Sequence, residues 1–149
     1  MGYETRLYII EERNTHVDAF VAVAGNWGQI FNYENKKDKE FLKNREVVFA
    51  EYASPIVTIN LAKCSDVFHN YLHNKNINQQ HYIYHSDGDT VKITDSYGDK
   101  LMTFKANTVL EALKVASADS EHRRYRTAIA TIESMLPDYN NLMIITEGY

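Results

Sequence analysis

The sequence predicts a single α+β domain over residues 1–149, in which a mostly antiparallel sheet carries two C-terminal helices packed on one face. Three observations predict this class: strand-type alternation in the N-terminal half, short strands separated by glycine-containing turns after residue 80, and two helical apolar stripes near the C-terminus. With 149 residues, 44% of them hydrophobic, the chain can bury one sizeable core. It contains no repeat or long linker that would divide it.

Alternating apolar and polar residues predict four strands in the N-terminal half: residues 3–12, 17–24, 47–52 and 56–63. A short polar stretch joins the first two, so we expect them to pair as a hairpin. Two glycines around Trp27 predict a tight turn with this residue near its tip. Residues 32–45 form a polar insertion, predicted to be a solvated loop or a short helix. Ser65 is expected to cap a short helix that runs to about His73.

The C-terminal half begins with an expected antiparallel meander. Turns at 87–89 and 97–99 separate its three short strands: residues 81–85, 90–95 and 100–104. Thr108 and Glu111 fit a capping box for the first C-terminal helix. A second helix is expected to start near Ser120 and to end at Pro137. Residues 142–146 form a continuous apolar strand of the kind that burial on both faces selects, so we expect it in the centre of the sheet rather than in a dimer contact.

Composition disfavours several classes of function. The chain has 16 Lys plus Arg against 20 Asp plus Glu, and its net charge of −4 argues against a general nucleic-acid binder. No apolar run approaches the roughly 18 residues of a membrane span, and no signal-peptide pattern is present at the N-terminus. Cys64 is the only cysteine, which favours a reducing, cytoplasmic location.

Four histidines lie close together in the sequence and could bind a metal ion: His69, His73, His81 and His85. The spacing of the first two allows both imidazoles to face one ion from a helix. Together with Asp66, however, they also form the polar side of that helix, opposite Phe68 and Leu72. We favour a solvated polar face and predict no bound cofactor.

The sequence contains none of the common catalytic motifs. Cys64 precedes the N-terminus of a predicted helix, where the helix dipole could lower the pKa of its thiol. A buried thiol without a chemical role is the favoured alternative. The prediction is therefore a protein that is not an enzyme.

Arg123, Arg124 and Arg126 form the most unusual local cluster. At the start of a helix the dipole disfavours each cation by roughly 0.3–1 kcal/mol, yet arginines beside free backbone N–H groups also suit an anion. Asp119 and Glu121 are close enough in sequence to offset these cations. We favour a local charge network, with a phosphate- or carboxylate-binding site as the alternative.

Trp27, followed by Phe31 and Tyr33, is a candidate aromatic anchor for a partner. Tryptophan and tyrosine are enriched at interface hot spots because they supply rigid area with a polar group. The equally supported alternative is that Trp27 folds back onto the core.

Four short segments resemble small accessory proteins of tailed phages: GYETRLYII at 2–10, DSYGDKL at 95–101, RRYRTAIA at 123–130 and IITEGY at 144–149. These segments include no catalytic signature. The resemblance implies a phage product that acts in the cytoplasm of a bacterial host. Such products commonly bind and block a host enzyme, or bind a nucleotide used in host defence.

Three functional hypotheses follow. The leading one is a non-enzymatic phage accessory protein that binds and inhibits a host or defence protein. The first alternative is a protein that sequesters an anionic nucleotide signal, using Arg123, Arg124 and Arg126 with Tyr125 or Trp27 as a stacking aromatic. The second alternative is a metal-dependent hydrolase built on the four histidines. We expect a monomer or homodimer with neither a membrane nor a nucleic acid as partner.

Overall fold

The computed structural model describes residues 4–31, 34–78, 80–85 and 90–149, and it confirms the α+β class. The strands in this part of the chain are β1 (Thr5–Glu11), β2 (Thr15–Ala24), β3 (Trp27–Phe31), β4 (Val47–Ala53), β5 (Val57–Ala62), β6 (His81–His85), β7 (Thr90–Lys92), β8 (Met102–Lys105) and β9 (Leu142–Gly148). The helices are α1 (Lys36–Leu42), α2 (Asp66–Leu72), α3 (Ala106–Asp119) and α4 (Arg123–Met135). A short 3-10 turn at Glu12–Asn14 links β1 to β2.

The strands form two sheets rather than the one that the sequence predicts. Four strands pair in the order β5-β1-β9-β8, and five others close into a small barrel in the order β2-β3-β7-β6-β4. All pairs of the four-stranded sheet are antiparallel, whereas β4 and β6 pair in parallel within the barrel. The α2 helix lies between β4 and β6 in the chain, and a crossover of this kind is what parallel pairing requires.

The two central strands of the four-stranded sheet, β1 and β9, are buried on both faces. On one face, Leu7, Ile9 and Ile144 join a core with residues of α2, α3 and α4. On the other face, Tyr8 and Ile145 pack with barrel residues and the chain before β8. This burial explains the continuous apolar run of β9, and the central position predicted for that strand is confirmed.

The two C-terminal helices pack on the sheet with the predicted apolar stripes. The buried residues of these helices are Ala106, Val109, Leu110, Ala112, Leu113 and Ala116 in α3, and Tyr125, Ala128, Ile132 and Met135 in α4. The prediction that two C-terminal helices pack on one face of the sheet is confirmed in part. The α2 residues Phe68 and Leu72 join the same core as those helices, and the barrel lies on the opposite face of the sheet.

The barrel encloses a smaller core, to which Val21, Tyr82, Val91 and Ile93 contribute. Gly28 makes this narrow barrel possible, because a Cβ at this position would collide with the side chain of Val21 and lie 3.2 Å from the carbonyl oxygen of Ala22. Glycine in a strand often marks such a close approach.

Two predicted strand pairings are wrong. β2 pairs with β3 and β4 rather than forming a hairpin with β1. In the expected meander, β6 and β7 do pair, but β8 joins β9 in the other sheet, and only a bridge between Thr94 and Lys100 remains of the third pairing. The predicted turn at 87–89 and the start of the first strand at Tyr3 lie outside the described residues.

Helix starts also differ from the prediction. α3 begins at Ala106, so Thr108 lies inside the helix and the capping box is wrong. Ser120 ends α3 instead of starting α4, and the ring of His122 accepts the capping hydrogen bond from the Arg124 N–H at 3.1 Å. The insertion contains α1, which confirms the short-helix alternative.

Candidate functional site

A concave surface of about 450 Å³ lies between the barrel and the helix of the polar insertion. We call it the aromatic groove and define it by Trp27, Phe31, Phe41 and Arg45. β3 supplies the first two residues, α1 supplies Phe41, and the turn after α1 supplies Arg45. Pockets of this volume, with mainly apolar walls and few polar groups, are typical of binding sites.

Local sequence fixes the walls of the groove. Successive side chains of a strand point to opposite faces, so Trp27 and Phe31 share the face opposite to Gly28. The ring of Phe31 stacks on that of Phe41 with centroids 4.7 Å apart. The guanidinium of Arg45 lies 3.7 Å from the centroid of the Phe41 ring, which adds a cation–π contact. The ring contact joins α1 to β3, and the cation–π contact places Arg45 against the same ring.

Two aromatic side chains of the groove remain accessible. Trp27 is 43% exposed and Phe41 is 40% exposed. Trp27 therefore offers a large part of its ring to a partner, as the anchor interpretation expects, while its other edge packs on the protein. Tyr33, the third aromatic residue of that interpretation, lies outside the described residues.

A second cavity, of about 430 Å³, adjoins the aromatic groove along α1. We call it the basic cavity, and its charged lining consists of Lys36, Lys39, Glu40, Lys43 and Arg45. Arg45 lines both cavities, so the aromatic and the cationic surfaces meet at this residue.

The inner edge of Trp27 meets two polar residues of the barrel. The His85 ring packs edge-on against the indole with centroids 4.8 Å apart, and the ammonium of Lys92 lies 5.7 Å from the indole centroid. Burial lowers the pKa of His85, and the charge of Lys92 lowers it further. A neutral His85 is therefore the form that fits this contact.

Lys92 also connects the barrel to a buried carboxylate of the four-stranded sheet, Glu147. The carboxylate of Glu147 is fully buried, accepts a hydrogen bond from the Tyr8 hydroxyl at 2.7 Å and pairs with the guanidinium of Arg6 at 3.0 Å. Burial raises the pKa of Tyr8 to about 12, and the bond to Glu147 adds to this shift. Sequence reasoning missed this cluster, because nothing in the local pattern marks Glu147 as buried.

Two of the three clustered arginines, Arg124 and Arg126, make contacts within the chain. Arg124 donates to the carbonyl oxygen of Asn60 at 2.9 Å, and Arg126 pairs with Glu121 at 3.5 Å. Arg123 is exposed, whereas Tyr125 is buried and its hydroxyl accepts from the N–H of Ser65 at 2.8 Å. This geometry favours the local charge network, and it leaves Tyr125 unable to stack on a nucleotide.

The four histidines fall into three places. His69 and His73 line a cavity of about 300 Å³ beside α2, and burial lowers the pKa of His69. His81 is fully buried, with its Nε2 3.4 Å from a carboxylate oxygen of Glu51, and His85 packs on Trp27. Within the described residues, no three His, Cys, Asp or Glu side chains are arranged to hold a metal ion.

Cys64 has the opposite reactivity to the one that a helix N-terminus suggests. Burial raises the pKa of its thiol to about 11, so the thiolate is scarce at neutral pH. Of the two interpretations of Cys64, the raised pKa fits the favoured one, a buried thiol without a chemical role, because burial outweighs any effect of the α2 dipole.

No family model, curated protein or solved structure matches this chain. Across the described ranges, none of the helices has the length and apolar character needed to cross a membrane.

Proposed function

We propose that this chain is a non-enzymatic binding protein that docks on another protein through the aromatic groove. In line with the phage resemblance, its target is a protein of a bacterial host or of its defence, and binding inhibits that target. The observation that carries the proposal is the pair of accessible aromatic rings, Trp27 and Phe41, in one preformed concave surface.

The groove has the properties of an interface hot spot. Hot spots concentrate binding energy in a few aromatic and arginine residues, and the groove combines both types. Its rings are held by stacking and cation–π contacts before any partner arrives. A surface that is already ordered loses less conformational entropy on binding, which favours affinity.

The lining of the groove suits binding better than catalysis. Its walls are mainly apolar, and among the residues that the structure describes Glu46 supplies the one carboxylate in them. General acid–base chemistry needs a titratable group aimed at the substrate, usually with a second group to orient it. The groove offers contact area instead.

The proposal is tested by affinity capture from a bacterial lysate with three forms of the chain: wild type, Trp27→Ala and Tyr97→Ala. Tyr97 is 57% exposed and does not line the groove, so its variant is the matched control. We expect the wild type and the control to retain one protein at near-stoichiometric level. Loss of a hot-spot tryptophan costs about 2 kcal/mol or more, so Trp27→Ala should weaken retention by ~30-fold.

Circular dichroism and urea unfolding establish that each variant is folded before capture is compared. Equal retention by Trp27→Ala and wild type would contradict the proposal. Failure of the wild type to retain any protein near stoichiometry would contradict it as well.

A further inference from the structure

We infer that the aromatic groove and the basic cavity together bind an acidic segment of the partner protein, with an apolar anchor residue close to its carboxylates. This inference rests on the proposed function and adds the chemistry of the partner. It is based on the position of Arg45, where the aromatic groove meets the basic cavity. Accessible aromatic rings lie on one side of this residue and cationic side chains on the other.

The charge of the two cavities is opposite in sign to that of the whole chain. Within the described part of the chain, four cationic side chains and two anionic ones, Glu40 and Glu46, line the combined surface. The net charge of the protein is −4, so this positive surface is a local departure from an acidic molecule. Charge complementarity contributes to partner choice and to the association rate, and it therefore selects an acidic segment.

Arg45 sets the order of the contacts. Its guanidinium lies over Phe41 in the aromatic groove and also faces the basic cavity. A carboxylate that pairs with Arg45 is thus next to an anchor residue that packs between Trp27 and Phe41. The Nη1 of Arg45 donates to the carbonyl oxygen of Phe41. The other two nitrogens of the guanidinium can pair with a carboxylate through two parallel hydrogen bonds, which makes this position the most directional contact of the surface.

The surface suits a peptide better than a single-stranded nucleic acid. Binding to phosphates requires several cations along the path of the nucleic-acid backbone, whereas the cations that line this surface in the described ranges lie on the α1 side. Beyond the aromatic rings, the groove is lined by Val23, Gln29 and Thr90, which provide no positive charge. Lys92 is close to Trp27, but it pairs with the buried Glu147.

The sole tryptophan provides a direct readout, because Trp27 lies in the groove and its fluorescence reports on occupancy. We would titrate the full chain with three tryptophan-free 12-residue peptides (about 40 Å when extended). The first carries Asp and Glu around a central Phe, the second has Asn and Gln in place of the acids, and the third has Ser in place of the Phe. An oligothymidylate of similar length is the fourth probe.

We expect the acidic Phe peptide to bind at least tenfold more tightly than either altered peptide and than the oligonucleotide. The double variant Lys36→Glu/Lys43→Glu should bind the acidic Phe peptide at least tenfold more weakly than the wild type does. The matched control, Lys105→Glu/Lys114→Glu, changes two exposed lysines of the β8–α3 region and should bind like wild type.

Three results would overturn the inference: equal binding of the acidic and neutral peptides, tighter binding of the oligonucleotide, or no binding of any peptide. If these occur while lysate capture still depends on Trp27, the proposed function stands and only the partner chemistry is wrong. If capture does not depend on Trp27, the proposed function has failed, and the acidic-segment inference fails with it.

Discussion

Trp27 lies between two environments of different polarity. One side of its ring faces the aromatic groove, while an edge contacts His85 and the indole lies near Lys92. The aromatic groove is thereby in contact with titratable groups of the barrel. Protonation of His85 would place a second cation beside Lys92 in a partly buried site. This protonation is unfavourable, because the two like charges repel each other and burial disfavours the charged form.

His85 should make the stability of the protein depend on pH. The pKa of His85 is lowered in the folded state, whereas an unfolded histidine has a pKa of about 6.5. Below that pH the unfolded chain binds the proton more readily, so the free energy of unfolding should fall as the pH decreases. His85→Gln should reduce this slope between pH 7 and pH 5, measured by urea unfolding at several pH values.

The same experiment contains its control. Above pH 7.5 His85 is neutral in both states, so the wild-type and His85→Gln curves should run parallel there. A variant that shows the wild-type slope below pH 6.5 would contradict the assignment of His85 as a neutral, partly buried group.

At the scale of elements, Glu147 joins three strands that are distant in the sequence. Its carboxylate contacts Arg6 and Tyr8 of β1 and Lys92 of β7, while its own backbone belongs to β9. The barrel and the four-stranded sheet are therefore linked by apolar packing and by a buried ionic cluster. Removing one partner of such a cluster leaves the others with uncompensated charge.

Glu147→Gln should destabilise the protein by about 3 kcal/mol, at the lower end of the range for a buried ion pair because Arg6 and Lys92 keep some solvent access. Chemical denaturation measures the change. Glu111→Gln on the exposed side of α3 is the matched control and should change stability by no more than about 0.5 kcal/mol. Equal stability of the two variants would mean that the Glu147 cluster does not hold the two sheets together.

At the scale of the whole molecule, the sequence predicts the elements better than their partners. A period-2 pattern locates β5, and helical stripes identify the buried sides of α3 and α4, because these signals depend on which face is buried. Alternation also locates β1, although both faces of that strand are buried. The same patterns do not identify which strands are neighbours in a sheet. β2 and β8 therefore pair differently from the prediction, and the division into sheet and barrel is missed.

The candidate site was predictable only in part. Trp27 is conspicuous in the sequence, because it is the one tryptophan and lies between two glycines. Phe41 and Arg45 belong to a polar insertion, and only the packing of α1 on β3 places them beside Trp27 in the groove. Arg123, Arg124 and Arg126 form a stronger pattern in the sequence, but two of them make contacts within the chain. Clustering along the chain does not determine whether charged side chains converge on a ligand.

The central claim is that a protein partner covers the aromatic groove, and hydroxyl-radical footprinting with mass spectrometry tests it most directly. The oxidation rates of Trp27 and Phe41 would be compared in the free chain and in the complex captured from lysate. Both rates should fall several-fold on binding, while those of Tyr97 and Met102, which are exposed outside the groove, should stay unchanged. Unchanged oxidation of Trp27 and Phe41 in a stoichiometric complex would show that the partner binds elsewhere.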